Sequence, residues 1–291
     1  MQPLRRLARQ GQQSVVTIIQ FLTAYAASIQ AALFGTVILG CCVMEAVVLR
    51  PDRARTLRRG TVNALFAGCV LPIQLVLAMS CLTLAEAVTA ERWGLLYLLP
   101  GADSPWIKFG LMFIVLDLLD WVYHFAMHHV PAFWRFHLVH HTDQAIDAST
   151  TIREHPGETV IRNGFLAVWV VLCGIPPELL VLRQTIETVS NILSHTSFRL
   201  GDRWGRVLGW LLITPNLHHV HHDARLPYTN SNYGDVFSVW DRLFRTYRTL
   251  AAEDMVVGLD THLVAGDHNF RAAVAMPFVG QPEWVAIEIP V

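Results

Sequence analysis

Residues 106–141 read WIKFGLMFIVLDLLDWVYHFAMHHVPAFWRFHLVHH. The first eleven are apolar apart from Lys108, and then Asp117, Asp120 and His124 enter the same pattern. A helix that starts this way and ends in carboxylates and imidazoles leaves the lipid and projects into water or protein. His124 and His128 are spaced i, i+4, so on a helix both rings lie on one face. In His137-x-x-His140-His141 the i, i+3 and i, i+4 pairs share a face. The adjacent pair diverges by about 100° and can reach two different metals. The same pattern recurs as His218-x-x-His221-His222, and His195 follows a second apolar stretch.

Composition agrees with a membrane setting. Of 291 residues, 53% are hydrophobic and 15% charged, against about 25% charged in soluble domains. Mean hydropathy is +0.38. Net charge is -1, so no basic field argues for nucleic acid, and the apolar content excludes general disorder. Cys41, Cys42, Cys69, Cys81 and Cys173 all sit in apolar runs without a CxxC pair and read as small buried hydrophobes.

Outward from 106–141, residues 60–85 are uncharged and form a span kinked at Pro72. Residues 91–105 read as an interfacial turn with Trp93 and Tyr97 in an aromatic belt. Residues 10–49 carry one charge, Glu45, between arginine-rich flanks. This run is either a tight helical hairpin or an interfacial helix over 14–31 followed by one span. It is too long, and lacks a small-residue cleavage site, to be a cleaved signal peptide. Residues 160–175 and 178–194, parted by Pro176-Pro177, read as a membrane hairpin. The expected fold is all-α: a polytopic integral membrane helical bundle with a cytosol-facing helical cap carrying the histidines. Its parts are N-terminal spans over 1–106, a catalytic region over 107–250 and a tail over 251–291 without periodicity.

Imidazole suits iron, copper, zinc and nickel. Nine histidines (His124, His128, His137, His140, His141, His195, His218, His221 and His222) exceed what one ion holds, so two ions are expected. There is no HExxH of a zinc hydrolase and no Glu-x-x-His of a carboxylate di-iron bundle. A histidine-rich di-iron site fits best. Asp117 and Asp120 precede His124 on its helix face and are expected to accept ring N–H groups, Asp120 from His124 first of all. Asp143 and Asp223 are weaker candidates for that role. His129 and His219 point off the shared faces, and His155, His262 and His268 read as ordinary polar contacts.

The runs DLLDWVYHFAMHHVPAFWRFHLVHHTD, DASTTIREHPGE, ILSHTSFRL and TPNLHHVHHDARLPYTNSNYGDVFSVWDRLFRTY carry a resemblance to the sterol desaturase/fatty acid hydroxylase superfamily over roughly 107–250. The resemblance implies a multi-span membrane enzyme with a cytosol-facing di-iron centre, O2 as co-substrate, and hydroxylation or desaturation of a sterol, fatty acyl or related lipid. The implied ligands are the eight motif histidines with His195 as a further one. Some members carry another histidine four positions before His195, where this chain has Asn191, so the tenth ligand is open and His155 is an alternative. Asn232, Tyr233, Gly234, Trp240 and Asp241 match a motif read as structural packing. The lipid chain is expected between 107–128 and 160–194. Electrons are expected from a separate reductase, ferredoxin or cytochrome, and the location is a bacterial inner membrane. The rival readings are a membrane metal transporter or metal-binding protein, and a haem-bearing electron carrier. Nearly charge-free early spans oppose the first and the tight HxxHH spacing opposes the second.

Overall fold

The computed structural model describes residues 26–49, 53–259 and 269–279. Among these the chain is helical. Its only sheet-like pairings are two isolated bridges, Leu212 with Phe237 and Asp223 with Val257. Helix α1 (Ala26–Val48) runs unbroken. The described half of 10–49 is therefore one helix, and the turn a hairpin would need, like residues 10–25, lies outside the described residues.

Helix α2 (Arg53–Ala90) has 38 residues and holds Pro72 in its interior. A bilayer core needs about 20 residues, so α2 overshoots it and carries polar side chains to the histidine region. Arg59 Nε lies 2.6 Å from Asp143 Oδ1, and Asn63 Nδ2 donates to Ser149 Oγ at 2.9 Å. After the turn at 91–105 comes one turn of π-helix, Trp106–Leu111, and then α3 (Met112–His129). Among the described residues two stretches are long and apolar enough to cross a membrane, Thr56–Leu98 and Trp106–His129. Leu39, Val43 and Val47 on α1 and Leu71, Leu75 and Val76 on α2 are exposed. Water would penalise such faces, and hydrocarbon does not.

Helix α4 (Pro131–His141) follows α3 after one extended residue, Val130. Proline supplies no N–H at a first helical turn and disfavours helix in the residue before it, so the chain turns a corner at Val130. Helices α5 (Pro156–Cys173) and α6 (Pro177–His195) are the two arms read around Pro176-Pro177. Short helices α7 (Asp202–Leu208), α8 (Pro215–His221), α9 (Val239–Leu243) and α10 (Phe270–Ala275) complete the described part. The tail thus does carry a helix: Phe270 meets Phe66 edge to face at 5.1 Å, and Ala273 is buried beside Trp134 and Leu138. His262 and His268 lie outside the described residues.

Two larger apolar cores, beside a small cluster of Cys41, Ala148 and Ile192, hold the described helices. One joins Ala85 and Val88 of α2, Met112 and Leu116 of α3, Leu166 and Val170 of α5, and Leu179 and Leu180 of α6. The other joins Phe66 of α2, Leu138 and Val139 of α4, and the tail helix, and so fixes the floor under the histidines. Glu45, the lone charge of its run, is buried and accepts from the Ala148 and Ser197 amides, tying α1 to the loop after α4 and to the end of α6.

The turn after α2 meets the end of α5 with no room for a side chain. Gly174 has φ of 71° and Gly94 a φ of 108°, and a Cβ on Gly174 would run into the Trp93 carbonyl oxygen. Left-handed backbone alone costs a non-glycine residue about 1–2 kcal/mol. Gly174→Ala is expected to lower the thermal midpoint of the detergent-solubilised protein by about 5 °C or more. Gly68→Ala, on α2 with open space around it, leaves the midpoint equal or higher because alanine favours helix. An unchanged midpoint in Gly174→Ala would show that the close approach carries no stability.

Candidate metal centre

The corner at Val130 sets the last turn of α3 against α4, so HxxxH faces HxxHH. The end of α6 brings in His195, and Pro215 starts α8 so that its three histidines close the far side. The nine imidazoles fall into two groups. His124, His128, His137, His141 and His221 offer ring nitrogens that lie within 4.8 Å of one another, and so do His140, His195, His218 and His222. Each HxxHH motif is split. His140 and His141 are almost perpendicular, at 88°, and so are His221 and His222. One member of each adjacent pair enters each group. The groups abut, with the His141 and His222 rings 4.5 Å apart and stacked.

The protons on these rings decide what the groups can do. A backbone carbonyl only accepts, so a ring nitrogen facing one carries the proton. His124 Nδ1 donates to Tyr233 O at 2.9 Å, His221 Nδ1 to Ser231 O at 2.7 Å, His140 Nδ1 to Arg153 O at 3.2 Å and His195 Nδ1 to Asn191 O at 2.8 Å. His137 Nδ1 lies 2.6 Å from the buried carboxylate of Glu158, and His128 Nδ1 lies 3.2 Å from Asn230 Oδ1. In the neutral ring the other nitrogen, Nε2, is then a bare lone pair. Yet His124 Nε2 stands 3.2 Å from His137 Nε2, and His140 Nε2 stands 3.0 Å from His195 Nε2. His140 and His195 are both kept neutral by burial, so no proton lies between their Nε2 atoms and that contact is lone pair against lone pair. His218 Nε2 approaches His195 Nε2 at 2.9 Å, and His128 Nε2, His221 Nε2 and both nitrogens of His222 are buried without a partner.

Such an array costs free energy unless a cation sits where the lone pairs converge. Metal–imidazole bonds of about 2.1 Å, the zinc value, put two nitrogens at right angles about 3 Å apart, which is the spacing seen here. Burial keeps the rings neutral. His140, His141, His218 and His222 are all held well below the usual histidine value, by burial first and by neighbouring imidazoles second. Burial likewise pulls His195 down to about 4 and His221 to about 3. The donor set therefore fits two ions of the imidazole-binding class, five nitrogens on one side and four on the other.

The layer behind the rings differs from the expectation. Asp117 accepts from the Val236 and Phe237 amides and from Trp240 Nε1 at 2.7 Å, and touches no imidazole. Asp120 is ion-paired with Arg183, which also holds Glu187 at 3.0 Å. His124 turns instead to the Tyr233 carbonyl, because the 230–234 loop, not α3 itself, lies beside its Nδ1. Asp143 goes to Arg59 and Asp223 to Arg225. His155 is no ligand either. Its Nδ1 caps α5 by accepting from Gly157 N, and its Nε2 meets the Val274 carbonyl at 3.2 Å. Asn191 contributes its backbone carbonyl to His195. His129 bonds back to Phe125 O and His219 to Thr196 O, both off the cluster.

Glu158 is the residue that sequence reasoning missed, although it sits in the quoted run REHPGE. Asn232, Tyr233 and Gly234 are expected to serve packing, but Tyr233 and the preceding Asn230 and Ser231, which carried no expectation, orient three imidazoles. Asn232 makes this possible by taking a left-handed φ of 52° and bonding through its side chain to Leu217 O and Arg248 N. Asp241 then pins the loop, accepting from Tyr233 N, Gly234 N and Trp121 Nε1.

Comparison with known proteins agrees with this geometry. Residues 109–246 match the fatty acid hydroxylase family model. The chain is 32% identical over 176 residues to an alkylglycerol monooxygenase of Caenorhabditis elegans, covering 59% of this chain and 33% of that one. It is 26% identical over 156 residues to the ornithine lipid hydroxylase OlsE of Rhizobium tropici, covering 53% and 45% respectively. It is 26% identical over 139 residues to human cholesterol 25-hydroxylase, covering 47% and 49%. The match thus spans a third to a half of the length of these relatives. No solved structure matches.

Two outcomes follow from the ring geometry. Glu158→Gln is expected to lower metal affinity about 10–100-fold, whereas Asp120→Asn leaves it within about twofold because that carboxylate orients no ring. Metal analysis of the purified proteins against a chelator series checks both, and the reverse order would remove Glu158 from the site. Acid should also destabilise the metal-free protein. An unfolded histidine takes a proton near pH 6.5, while the folded rings resist until about 4 for His195 and about 3 for His221. Stability is thus fully present above pH 6.5 and lost as pH falls from there toward 4. Asp235, Glu154 and Asp241, whose carboxyls burial pushes up, oppose this as three groups against six imidazoles. Thermal midpoints from pH 8 to pH 5 read the sign, and a midpoint that rises with acid would contradict it.

Proposed function

Because the chain belongs, through residues 109–246, to the fatty acid hydroxylase family, we propose that it is a membrane-bound oxidoreductase that hydroxylates or desaturates C–H bonds of a lipid, using two irons and O2. The observation that carries this reading is the pair of abutting imidazole groups whose unprotonated Nε2 atoms face one another. His124, His128, His137, His141 and His221 would hold one ion, and His140, His195, His218 and His222 the other. Iron bound in such a site supplies the activation of O2 that C–H oxidation requires.

The chain's own residues perform the rest. Glu158, Asn230 and the carbonyls of Arg153, Asn191, Ser231 and Tyr233 lock the ring tautomers and directions. Trp134 packs 4.9 Å from the His128 ring and 5.5 Å from His141, and Tyr233 is fully buried against His128. Together they exclude water from the five-histidine group. His140 is the most exposed of the nine, so the four-histidine group, with one imidazole fewer, is the side that O2 and substrate reach. The reacting lipid chain lies between α3 and the α5–α6 pair, whose outer faces show Val160, Val168, Leu172 and Leu182 to the bilayer. The histidines sit at the cytoplasmic face of a bacterial inner membrane, where a separate reductase, ferredoxin or cytochrome supplies electrons.

A metal transporter is the rival class. It needs polar groups strung across the spans, whereas these imidazoles converge in one place, six of the nine with their protons already committed. The test is metal content together with O2 uptake on purified protein supplied with reductant and membrane lipid extract. Two irons per chain and lipid-dependent O2 consumption are expected, with His140→Ala abolishing consumption while expression stays near normal. Metal movement across sealed vesicles without O2 uptake would sink the oxygenase reading.

A further inference from the structure

A stretch of chain that spans nothing runs down the outside of α3 from the histidines. It starts at Tyr233, whose carbonyl faces His124. Below it the Val236 and Phe237 amides donate to Asp117, and the Phe237 ring meets Phe113 edge to face at 6.1 Å. The chain then turns back, and Phe244 stacks on Trp121 at 4.5 Å. Phe113 lies about 16 Å along the helix from His124, inside the candidate span Trp106–His129. The loop therefore reaches the depth of a membrane-crossing segment without crossing. The end of α7 goes down with it. Leu212 pairs with Phe237 in an isolated bridge, and Ser238 N donates to Leu211 O. Arg242 lies between the Trp210 and Tyr247 rings, 4.2 and 3.7 Å from their centres, and donates to Gly209 O.

The outward side of this paired segment is apolar. Trp204, Trp210, Leu211, Leu243 and Phe244 are exposed, Trp210 at 68% and Leu243 at 63%. An apolar patch of this kind calls for a covering surface, and beside the candidate span that surface is lipid. The segment is also basic. Residues 202–212 and 239–248 hold Arg203, Arg206, Arg242, Arg245 and Arg248 against Asp202 and Asp241, and Asp241 is spent on the Tyr233 and Gly234 amides. Among the described residues none of these five arginines forms an ion pair, whereas Arg59, Arg162 and Arg183 are each matched to carboxylates. Arg242 and Arg248 reach only backbone carbonyls. Tryptophan favours the lipid–water boundary, and arginine lays its stem along hydrocarbon while its guanidinium stays at the phosphates.

We propose that residues 203–212 and 239–248 form a wedge that dips into the leaflet on the histidine side. Its aromatic and leucine side chains lie among the acyl chains, and its arginines meet the phosphates of anionic headgroups. An acidic protein is the other taker of an arginine-rich face. Such a partner would stop at the water boundary, whereas Leu211 and Leu212 are tied to the strand of chain beside Phe113, within the span. The wedge is read from depth and charge and does not depend on what the metal centre does.

The test is photocrosslinking of the full chain in nanodiscs of equal parts phosphatidylcholine and phosphatidylglycerol. Benzoylphenylalanine replaces Leu211 or Leu243, and mass spectrometry identifies the adducts. Exposed Leu75 of α2 is the lipid-facing reference and exposed Glu253 the water-facing one. Lipid adducts are expected at Leu211 and Leu243 at about the Leu75 yield, with little at Glu253. Phosphatidylglycerol should exceed phosphatidylcholine about threefold in the Leu211 and Leu243 adducts, as basic residues at an anionic surface allow, and should show no excess at Leu75. Arg206 and Arg245 are exposed, so the double variant Arg206→Gln, Arg245→Gln should fold, bring that ratio to about one and leave the yield unchanged. Yields at both positions no higher than at Glu253, adducts to a co-purified protein instead of lipid, or a lipid ratio that the double variant does not move would overturn the wedge. Adducts missing at Leu75 as well would fault the membrane setting of the whole chain, and the wedge with it.

Discussion

Everything in the site depends on where nine protons are placed. An imidazole with its Nδ1–H engaged by a carbonyl or carboxylate is fixed in tautomer and direction, and its Nε2 has no choice but to present a lone pair. The fold does this for six of the nine rings with acceptors drawn from four separate segments, at 153, 158, 191 and 230–233. The result is a buried, nearly neutral set of donors aimed at each other. It is unfavourable as it stands and relieved only by cations.

That constraint explains features that would otherwise look decorative. Asn232 adopts a left-handed backbone so that the carbonyls on either side of it, at Ser231 and Tyr233, point at different rings. Asp117 and Asp241 spend their oxygens on backbone amides of the 233–241 loop, on Trp240 Nε1 within it and on Trp121 Nε1 of α3, which holds those carbonyls in register. Arg153, almost fully buried, reaches Val139 O, Asn63 and Thr142, and its own carbonyl supports His140. Arg59 and Asn63 bring the top of α2 into the same network, so a helix that is apolar through its middle buttresses the metal site with its polar end.

The membrane and the site are coupled by helix length. α3 is apolar enough to cross lipid over its first part and ends in HxxxHH, while α2 overshoots the hydrocarbon core and carries polar groups to the same level. α2 thus serves both larger cores: the one it shares with α3, α5 and α6, and the smaller one it shares with α4 and the tail helix under the histidines.

Much of this was legible in the residues. Period 3.6 applied to HxxxH and HxxHH placed the rings on shared faces and sent the adjacent pairs in two directions, because both facts follow from helix geometry alone. The Pro176-Pro177 break parted two helices for the same local reason, and Pro131, Pro156 and Pro215 likewise stand at helix starts in the structure. The tenth-ligand question and the orienting carboxylates were not legible. Asp120 is well spaced to reach His124 along α3, yet Arg183, sixty-three residues away, captures it, and a carbonyl from Tyr233 takes its place. Glu158 gave no periodic signal, since its distance from His137 is set by a 3-10 turn and a loop. Local periodicity determines which way a side chain leaves its own helix. Which acceptor waits there is decided by the packing of segments far apart in the chain, and backbone carbonyls, which every residue possesses, leave no mark in the sequence at all.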